Sequence, residues 1–250
     1  MTGSARIAIV TGAGMGAGGI GRGIAARLVA DGLQVMLADV EPDVQQAAAA
    51  LPAGCADFFV GDLAQEATAQ ALIDATQARF GRIDVLVNNA GGGVIRPFLE
   101  HDAASLRATL ERNLWTAIWC CHKALPVMAR RGHGRIVNLG ADSLRTGIPG
   151  HAAYNAAKGG VLGLTVGLAR DWAHLDITVN MVSPCVVETA HLDAERREIP
   201  ALAAAFLAVV PKGRAARIAE VADLVAFLAR PETAFMTGQN LSLNGGSAMP

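Results

Sequence analysis

The chain has 250 residues, enough for one domain with a substantial hydrophobic core. Its formal net charge is −1 at pH 7, so the composition gives no sign of a surface for nucleic acid or for an anionic membrane. No apolar run reaches transmembrane length, a strand pattern begins too early for a signal peptide, and the four cysteines lack metal or disulfide spacing. We therefore expect a reduced, cytoplasmic protein without a metal site.

Short β-branched segments alternate with longer alanine-rich segments. The predicted strands are Ile7–Val10, Gln34–Ala38, Phe58–Val60, Val85–Val87, Arg135–Leu139, Thr178–Val182 and Leu241–Leu243. The predicted helices lie near Ile20–Ala30, Ala67–Phe80, Ala103–Arg130, Ala152–Trp172 and Ile218–Ala229. This alternation predicts an α/β fold, a doubly wound parallel sheet of about seven strands with helices on both faces, in one domain over residues 1–250. Residues 188–211 interrupt the alternation where a substrate lid is expected.

A glycine-rich segment, Thr11 to Ala25, joins the first predicted strand to the first predicted helix. Glycines there allow backbone N–H groups to approach a pyrophosphate at a helix N-terminus. Asp39 ends the second strand, eighteen residues after Gly21, where a carboxylate binds ribose hydroxyls and repels a 2′-phosphate. No Arg or Lys lies between Thr11 and Gly21, and Val40–Pro42 adds none. The sequence therefore predicts NAD rather than NADP as the cofactor.

Tyr154 is the only tyrosine in the chain, and Lys158 follows it by four positions. In a helix this spacing places both side chains on one face, one turn apart. An ammonium group so close favours the phenolate, so we expect Lys158 to lower the pKa of Tyr154 and make it a general acid or base for an alcohol or carbonyl oxygen. Taken alone, the pair is equally compatible with an incidental helical neighbour.

Together with the glycine-rich segment, this pair resembles the short-chain dehydrogenase/reductase family in its compact, Rossmann-like, single-domain branch, over essentially the whole chain. Six further segments match family motifs in order: Asp62-Leu63, Asn88–Gly91 (NNAG), Asn113, Pro184–Thr189 (PCVVET) and the C-terminal segments Thr237–Gln239 and Asn244–Gly246. The resemblance implies that Asp62 and Leu63 contact the adenine and that the motif containing Asn89 borders the ribose. It also implies that Val187 and Thr189 contact the nicotinamide carboxamide.

Two departures from the family pattern affect the cofactor site. The usual spacing TGxxxGxG is met by Gly12, Gly16 and Gly18, yet Gly19-Ile20-Gly21 resembles the usual start of the helix. The distance from Gly12 to Asp39 is three residues longer than is usual in the family, whereas the distance from Gly21 is normal. We infer a three-residue insertion, with Gly19 and Gly21 as the functional pair. The second departure is Cys185 in place of a glycine, which we expect to crowd the nicotinamide side of the pocket.

The third departure concerns the family's catalytic serine, which usually precedes the tyrosine by thirteen positions. Ala141 occupies that position, and the nearest hydroxyl is Ser143, two residues later. In an extended segment a shift of two residues returns to the same face, displaced by about 6.6 Å. Ser143 is the favoured replacement. The alternatives are that Asp142 or a backbone N–H supplies the contact, or that the role is lost.

These residues predict an NAD(H)-dependent oxidoreductase that interconverts a secondary alcohol and a ketone. The predicted catalytic residues are Tyr154 as acid/base, Lys158 as its partner and ribose ligand, Asn113 as holder of a relay water and Ser143 as donor to the substrate oxygen. The alternative is a catalytically weak dinucleotide-binding protein, a sensor or scaffold subunit, which only Ala141 supports. The apolar helices Trp115–Met128 and Ala156–Ala169, which family members pair across a two-fold axis, predict a homotetramer.

Overall fold

One parallel sheet forms the centre of the molecule. In a computed structural model, which describes residues 5–14 and 19–249, seven strands lie in the order β3-β2-β1-β4-β5-β6-β7. The strands are β1 (Ile7–Thr11), β2 (Gln34–Asp39), β3 (Ala56–Val60), β4 (Val85–Asn88), β5 (His133–Leu139), β6 (Asp176–Pro184) and β7 (Asn240–Leu243). The strand order reverses between β1 and β4, which opens a crevice at the carboxyl edge of the sheet. The predicted fold class is confirmed.

Helices cover both faces of this sheet. They are α1 (Ile20–Ala30), α2 (Val44–Ala49), α3 (Glu66–Phe80), α4 (Ala103–Leu110), α5 (Thr116–Arg131), α6 (Ser143–Thr146), α7 (Ala152–Trp172), α8 (Ala190–Glu198), α9 (Pro200–Ala208) and α10 (Ile218–Leu228). Side chains alternate along each strand, so Ala8 and Val10 pack toward α1 and α10, whereas Ile9 packs toward α3 and α5. The continuous apolar strands are therefore buried on both sides.

The predicted helix Ala103–Arg130 is wrong in one respect. The chain leaves α4 through a π-helical turn, Glu111–Trp115, before α5 begins. A π turn accommodates one extra residue and changes which side chains face the protein interior, and such turns are frequent at functional sites. Here the turn buries Asn113, which is 1% exposed.

Residues 188–211 contain α8 and α9, and we call this stretch the α8–α9 segment. Its inner side chains, among them Leu192 and Ala203, form a small hydrophobic cluster with Ala215 of the following chain. The start of the segment is tied to the chain before α10, because Glu188 N donates to Ala216 O at 2.8 Å and Ala216 N donates to Val186 O at 2.8 Å. The segment therefore has a small core of its own above the carboxyl edge of β6.

Candidate active site

The glycine-rich segment lies at the carboxyl end of β1, beside β4. Gly12 has φ +64°, and a Cβ there would lie 2.7 Å from Ala90 Cα. Gly19, with φ +85°, stands immediately before α1, and Ile20 and Gly21 form the first turn of that helix. A Cβ at Gly21 would overlap the Gly12 carbonyl oxygen. Any residue larger than glycine would clash at Gly12 and Gly21. The first turn of α1 therefore lies close to the end of β1, at the crevice. Gly16 and Gly18 lie outside the described residues.

Asn89 holds this segment in place. Its Nδ2 donates to Thr11 O at 3.1 Å and to Gly12 O at 2.8 Å, while its backbone N–H donates to Thr11 Oγ1 at 3.1 Å. The NNAG motif thus connects the end of β4 to the end of β1 across the crevice. In this structure the Asn89 side chain shapes the glycine-rich segment.

Asp39 is 8% exposed at the end of β2. Its Oδ2 accepts from Gly14 N at 2.7 Å, and its Oδ1 accepts from Glu41 N at 3.2 Å. A Cβ at Gly14 would lie 2.9 Å from that same Oδ2. The carboxylate therefore borders the glycine-rich segment closely, where a ribose beyond the pyrophosphate would lie.

Asp62 and Leu63 follow β3 at the same edge of the sheet. Asp62 is exposed and its Oδ1 accepts from Ala64 N at 3.0 Å, which forms a turn. Leu63 is 3% exposed and packs with Ile9 and Ala38. The two side chains thus point differently, Asp62 to the solvent and Leu63 to the core.

Tyr154 and Lys158 lie on the first turns of α7, as their spacing predicts. Lys158 is 3% exposed, and its Nζ lies 5.6 Å from the centroid of the Tyr154 ring. That Nζ donates to Leu139 O, at the end of β5, at 2.8 Å. Gly93 faces the tyrosine, because a Cβ there would lie 3.0 Å from Tyr154 Cδ2. The tyrosine ring is therefore held between α7 and the chain that follows the NNAG motif.

The prediction that Lys158 lowers the pKa of Tyr154 is wrong for this structure. Burial raises the pKa of Tyr154 to about 12. Burial also lowers the pKa of Lys158 to about 8. Desolvation disfavours the charged form of each group and is the cause of both shifts. Two perturbed ionisable groups side by side in a crevice are typical of a functional site.

Asn113 lies beside this pair. Its Nδ2 donates to Gly92 O at 2.7 Å and to Thr109 O at 2.8 Å, and its Oδ1 accepts from Gly92 N at 3.2 Å. A Cβ at Gly91 would lie 2.6 Å from Asn113 Oδ1 and 3.3 Å from Lys158 Nζ. Asn113 and Lys158 therefore both lie beside Gly91, in the NNAG motif.

Ser143, at the start of α6, is buried and already hydrogen-bonded. Its Oγ donates to Asn155 Oδ1 at 2.6 Å, and Asn155 Nδ2 donates back to Ser143 O at 3.0 Å. Ala141, at the family's usual serine position, is 8% exposed. Of the two alternatives, the Asp142 carboxylate is directed elsewhere, because it accepts from Asn244 Nδ2 at 3.1 Å and from the hydroxyl of Ser247. Asp142 therefore holds the C-terminal segment.

Val187 and Thr189 lie between β6 and α8. Val187 is 8% exposed and pairs with Ala216 in an isolated parallel bridge. Thr189 Oγ1 accepts from Leu192 N at 3.3 Å, in the first turn of α8. Cys185 lines a cavity of about 330 Å³ together with Val210, Lys212 and Gly245. The residues that line this cavity do not include Tyr154, Val187 or Thr189, so the structure gives no support to crowding of the nicotinamide side by Cys185.

Three polar residues at the site were missed from the sequence. Asn155 is the partner of Ser143, while Asn138 and Thr165 continue a buried chain from the NNAG motif. In that chain Asn88 Nδ2 donates to Asn138 Oδ1 at 2.8 Å, and Asn138 Nδ2 donates to Thr165 Oγ1 at 2.8 Å. The only signal was a polar residue within an apolar strand, at Asn138. These bonds connect β4, β5 and α7 beneath the site.

The other candidate groups can be placed. Among residues 5–14 and 19–249, no group of three or more His, Cys, Asp or Glu side chains could hold a metal ion. Burial raises the pKa of the Cys120 thiol, and raises that of Cys121 to about 12, so neither is a nucleophile at neutral pH. Within the same described residues, every helix is too short or too polar to cross a membrane.

Comparison with known proteins identifies the family. A family model described as enoyl-(acyl carrier protein) reductase matches residues 14–248. The chain is 50% identical over 248 residues to 2,3-dihydroxy-2,3-dihydro-p-cumate dehydrogenase of Pseudomonas putida, covering 98% of this chain and 95% of that protein. The chain is a short-chain dehydrogenase/reductase.

Two more distant relatives agree with this assignment. The 3-oxoacyl-[acyl-carrier-protein] reductase FabG of Escherichia coli (strain K12) is 34% identical over 244 residues, covering 98% of both chains. The crystal structure of levodione reductase superimposes with a TM-score of 0.87 at 29% identity, over 98% of both chains. As a short-chain dehydrogenase/reductase, this protein interconverts a secondary alcohol and a ketone on a small molecule, with a nicotinamide cofactor. The prediction of such an oxidoreductase is confirmed.

Proposed function

We propose that this enzyme oxidises one hydroxyl of a vicinal diol on a cyclohexadiene ring, with NAD⁺ as hydride acceptor. The observation that carries the substrate class is the 50% identity to a dehydrogenase of a dihydroxy-dihydro ring acid. A second relative, 34% identical over 253 residues, is a 1,6-dihydroxycyclohexa-2,4-diene-1-carboxylate dehydrogenase from Pseudomonas putida. The 3-oxoacyl reductase is 34% identical, no more than that second relative and less than the p-cumate enzyme at 50%. A thioester substrate is therefore the weaker candidate.

The residues present fit a dinucleotide. No side chains cover the backbone at three glycines close to the start of α1, namely Gly12, Gly19 and Gly21. The backbone N–H groups of the first turn of a helix attract a pyrophosphate. Asp62 and Leu63 follow β3, at the edge strand of the sheet, where we propose contact with the adenine. Val187 and Thr189 lie at the opposite end, beyond β6, where we propose contact with the nicotinamide carboxamide.

The choice of NAD over NADP depends on Asp39 in this proposal. Its carboxylate borders the glycine-rich segment through Gly14 N at 2.7 Å. A phosphate on the ribose 2′ oxygen would place negative charge beside a nearly buried carboxylate, which is unfavourable. The two residues that follow it, Val40 and Glu41, supply no cation to compensate.

In the proposed reaction Tyr154 takes the hydroxyl proton as the hydride leaves the carbinol carbon. The alcohol thus loses one proton and one hydride and becomes a ketone, and bound NAD⁺ supplies the hydride acceptor. Lys158, with a pKa of about 8, remains charged at neutral pH and stabilises the phenolate that must form. It also binds the nicotinamide ribose in this proposal.

Asn113 and Ser143 have supporting roles in the proposal. The carbonyl oxygen of Gly92 and the Asn113 amide lie in contact, next to Lys158, where a water can continue the proton path to solvent. Ser143 donates to the substrate oxygen after its hydroxyl turns away from Asn155. The α8–α9 segment serves as the substrate lid in this account.

We further propose a cytoplasmic homotetramer. Trp115 is 43% exposed and stacks on Trp119 at 5.5 Å, and Val166 on α7 is 52% exposed. Apolar exposure at the π turn before α5 and on α7 together favours burial against another copy of the chain. Light scattering at micromolar concentration should give a mass four times that of the chain, and a monomer would contradict this assembly.

The test of function is a comparison of substrates. NADH formation and catechol formation would be followed with a cis-dihydrodiol of benzene, with the same ring carrying a carboxylate and with a 3-oxoacyl thioester in the reverse direction. We expect turnover of the diols with NAD⁺, because the ketone formed is a tautomer of a catechol. Turnover of the thioester without turnover of either diol would show that the proposed substrate class is wrong.

A further inference from the structure

His151 is the last residue before α7 and lies three positions before Tyr154. It occupies the N-cap position of the helix, but its side chain makes no capping hydrogen bond. Instead its Nδ1 lies 3.0 Å from Pro149 O. A carbonyl oxygen only accepts hydrogen bonds, so Nδ1 carries the proton. In the neutral ring Nε2 then presents a lone pair, and among the described residues it makes no hydrogen bond.

The ring of His151 lies between the proposed acid/base and the α8–α9 segment. It is perpendicular to the Tyr154 ring, with centroids 6.1 Å apart at 77°. It is also perpendicular to the ring of Phe206, on α9, with centroids 6.0 Å apart at 85°. All three rings are partly exposed, so they border open space rather than the core. One polar acceptor therefore stands between two aromatic surfaces at the mouth of the site.

The chain after the NNAG motif approaches Tyr154 and the start of α7 at two glycines. A Cβ at Gly93 would lie 3.0 Å from Tyr154 Cδ2, and a Cβ at Gly150 would lie 3.5 Å from Ile95 Cγ2. Ile95, 43% exposed, therefore lies beside Gly150, the residue before His151. Ile95 and Phe206 each offer apolar surface near His151 that a planar ring with few polar groups could contact.

We propose that His151 Nε2 accepts a hydrogen bond from the second hydroxyl of the vicinal diol, the one that is not oxidised. This inference rests on the proposed function. When Tyr154 holds the reacting oxygen, the neighbouring oxygen of a cis-diol projects from the same side of the ring, beside the tyrosine, where His151 lies. Phe206 then covers the substrate ring. A second hydroxyl buried there without an acceptor would lose its hydrogen bond to water.

This role makes His151 a specificity-determining residue. A site built to hydrogen-bond a substrate hydroxyl discriminates strongly against an analogue that lacks it, because the polar group in the site is left without its partner. A mono-alcohol of the same ring would leave Nε2 unpaired. A purely structural role of His151, as packing between Tyr154 and Phe206, would affect both substrates alike.

The test is a pair of variants with a pair of substrates. His151→Phe keeps an aromatic ring between Tyr154 and Phe206 but removes Nε2, and His151→Gln retains an acceptor. The measured quantity is the ratio of kcat/KM for the cis-dihydrodiol of benzene to kcat/KM for cyclohexenol, with NAD⁺. We expect His151→Phe to lower this ratio by about tenfold or more, and His151→Gln to restore most of it.

His174 offers a matched control, because its Nδ1 also lies 3.0 Å from a backbone oxygen, that of Asp171, and its ring also contacts an aromatic residue, Trp172. His174→Phe should leave the ratio unchanged. An unchanged ratio in His151→Phe would overturn the inference. If kcat/KM falls equally for both substrates, His151 has a packing role; if it falls for neither, His151 does not contribute to substrate binding. Absence of diol turnover in the unmodified enzyme would instead overturn the proposed function, and this inference with it.

Discussion

Asn113 and Lys158 are nearly inaccessible and are fixed by hydrogen bonds to backbone atoms. The α8–α9 segment is instead held by a few apolar contacts, by backbone hydrogen bonds at its start and by exposed ion pairs. Asn113 makes three hydrogen bonds to the backbone, with Gly92 and Thr109. In the segment, Arg196 pairs with Glu188 at 2.9 Å in a setting where all partners are exposed or half-exposed. Exposed pairs contribute about 0–1 kcal/mol each.

The two regions differ in their proposed roles: the buried residues carry out proton transfer, and the α8–α9 segment contributes to substrate selectivity. The groups proposed to move a proton lie on α7 and the π turn, both packed against the sheet, so their geometry is preorganised. Of the groups proposed to bind the rest of the substrate, Phe206 lies on a segment whose own core is small, so side chains of that segment change at little cost to stability. Substitutions on the sheet side should therefore affect kcat for every substrate, and substitutions in the segment should change the preference among substrates.

Tyr154→Phe gives the largest expected effect on the sheet side. The substitution removes only the hydroxyl and keeps the ring that contacts Gly93 and His151. Loss of the acid/base should lower kcat by about a thousandfold for every substrate, with NADH affinity nearly unchanged. Steady-state kinetics with two unrelated alcohols, together with fluorescence titration of NADH, would measure both. Retention of more than a few per cent of activity would assign the proton transfer to another group.

Lys158→Met should lower kcat by about a hundredfold and also stabilise the fold. Burial lowers the lysine pKa to about 8, against 10.5 for an ordinary lysine. Between these values the unfolded chain binds more protons than the folded chain, so the free energy of unfolding rises with pH there. Below pH 8 the penalty is complete, at about 3 kcal/mol, and loss of the bond to Leu139 O offsets about 1 kcal/mol of the gain.

Denaturant unfolding at pH 7 and above pH 10 would measure this effect. The Met variant should exceed the unmodified protein by about 2 kcal/mol at pH 7, and the advantage should disappear as the pH rises through the window. Lys212→Met, at an exposed lysine, is the matched control and should show neither change. A Met variant that is less stable at pH 7 would mean that Lys158 is stabilised by its surroundings.

Ser143→Ala should have a smaller effect. Loss of one donor to the reacting oxygen typically lowers the rate by about a hundred- to a thousandfold. Here the Ser143 hydroxyl must first break its hydrogen bond to Asn155 Oδ1, at 2.6 Å, which costs about 1 kcal/mol. We therefore expect Ser143→Ala to lower kcat by about ten- to a hundredfold. Ala141→Ser provides the comparison. If Ser143→Ala has no effect and Ala141→Ser increases kcat, the native site works without a serine.

The parts of the site that could be predicted from the sequence are those encoded by local pattern. Continuous apolar segments such as Ile7–Val10 identified the buried strands, and the four-residue spacing of Tyr154 and Lys158 placed both on one helix face. The glycine pair Gly19 and Gly21 was identified by its distance to Asp39.

Other features depend on the folded environment. The π turn that buries Asn113 has no local signature, because the same residues are compatible with a regular helix. The raised pKa of Tyr154 follows from burial, which a spacing rule omits. Asn155 holds the Ser143 hydroxyl from twelve residues away, and that contact depends on the path of the chain between β5 and α7.

Asp39→Asn tests the selectivity of the cofactor end and should give the smallest effect. The unmodified enzyme should bind NADH at least about tenfold more tightly than NADPH, a difference of about 1.4 kcal/mol. Asparagine keeps an acceptor for Gly14 N, at 2.7 Å in the present structure, and so preserves the glycine-rich segment while it removes the charge. The affinity for NADPH should therefore rise while that for NADH falls little, and the gap should narrow to within about threefold.

Asp74→Asn supplies the control for this prediction. Asp74 lies on α3, away from the crevice, where its Oδ1 accepts from Gln70 Nε2 at 2.9 Å. The substitution Asp74→Asn changes the net charge of the protein by the same amount as Asp39→Asn. If Asp74→Asn narrows the gap as much as Asp39→Asn does, the effect reflects the net charge of the protein. If neither variant narrows it, and the unmodified enzyme still prefers NADH, the 2′-phosphate is excluded by the shape of the backbone around the glycine-rich segment. Equal affinities in the unmodified enzyme would remove Asp39 from the cofactor assignment, because a carboxylate within reach of Gly14 N would then impose no electrostatic cost on the phosphate.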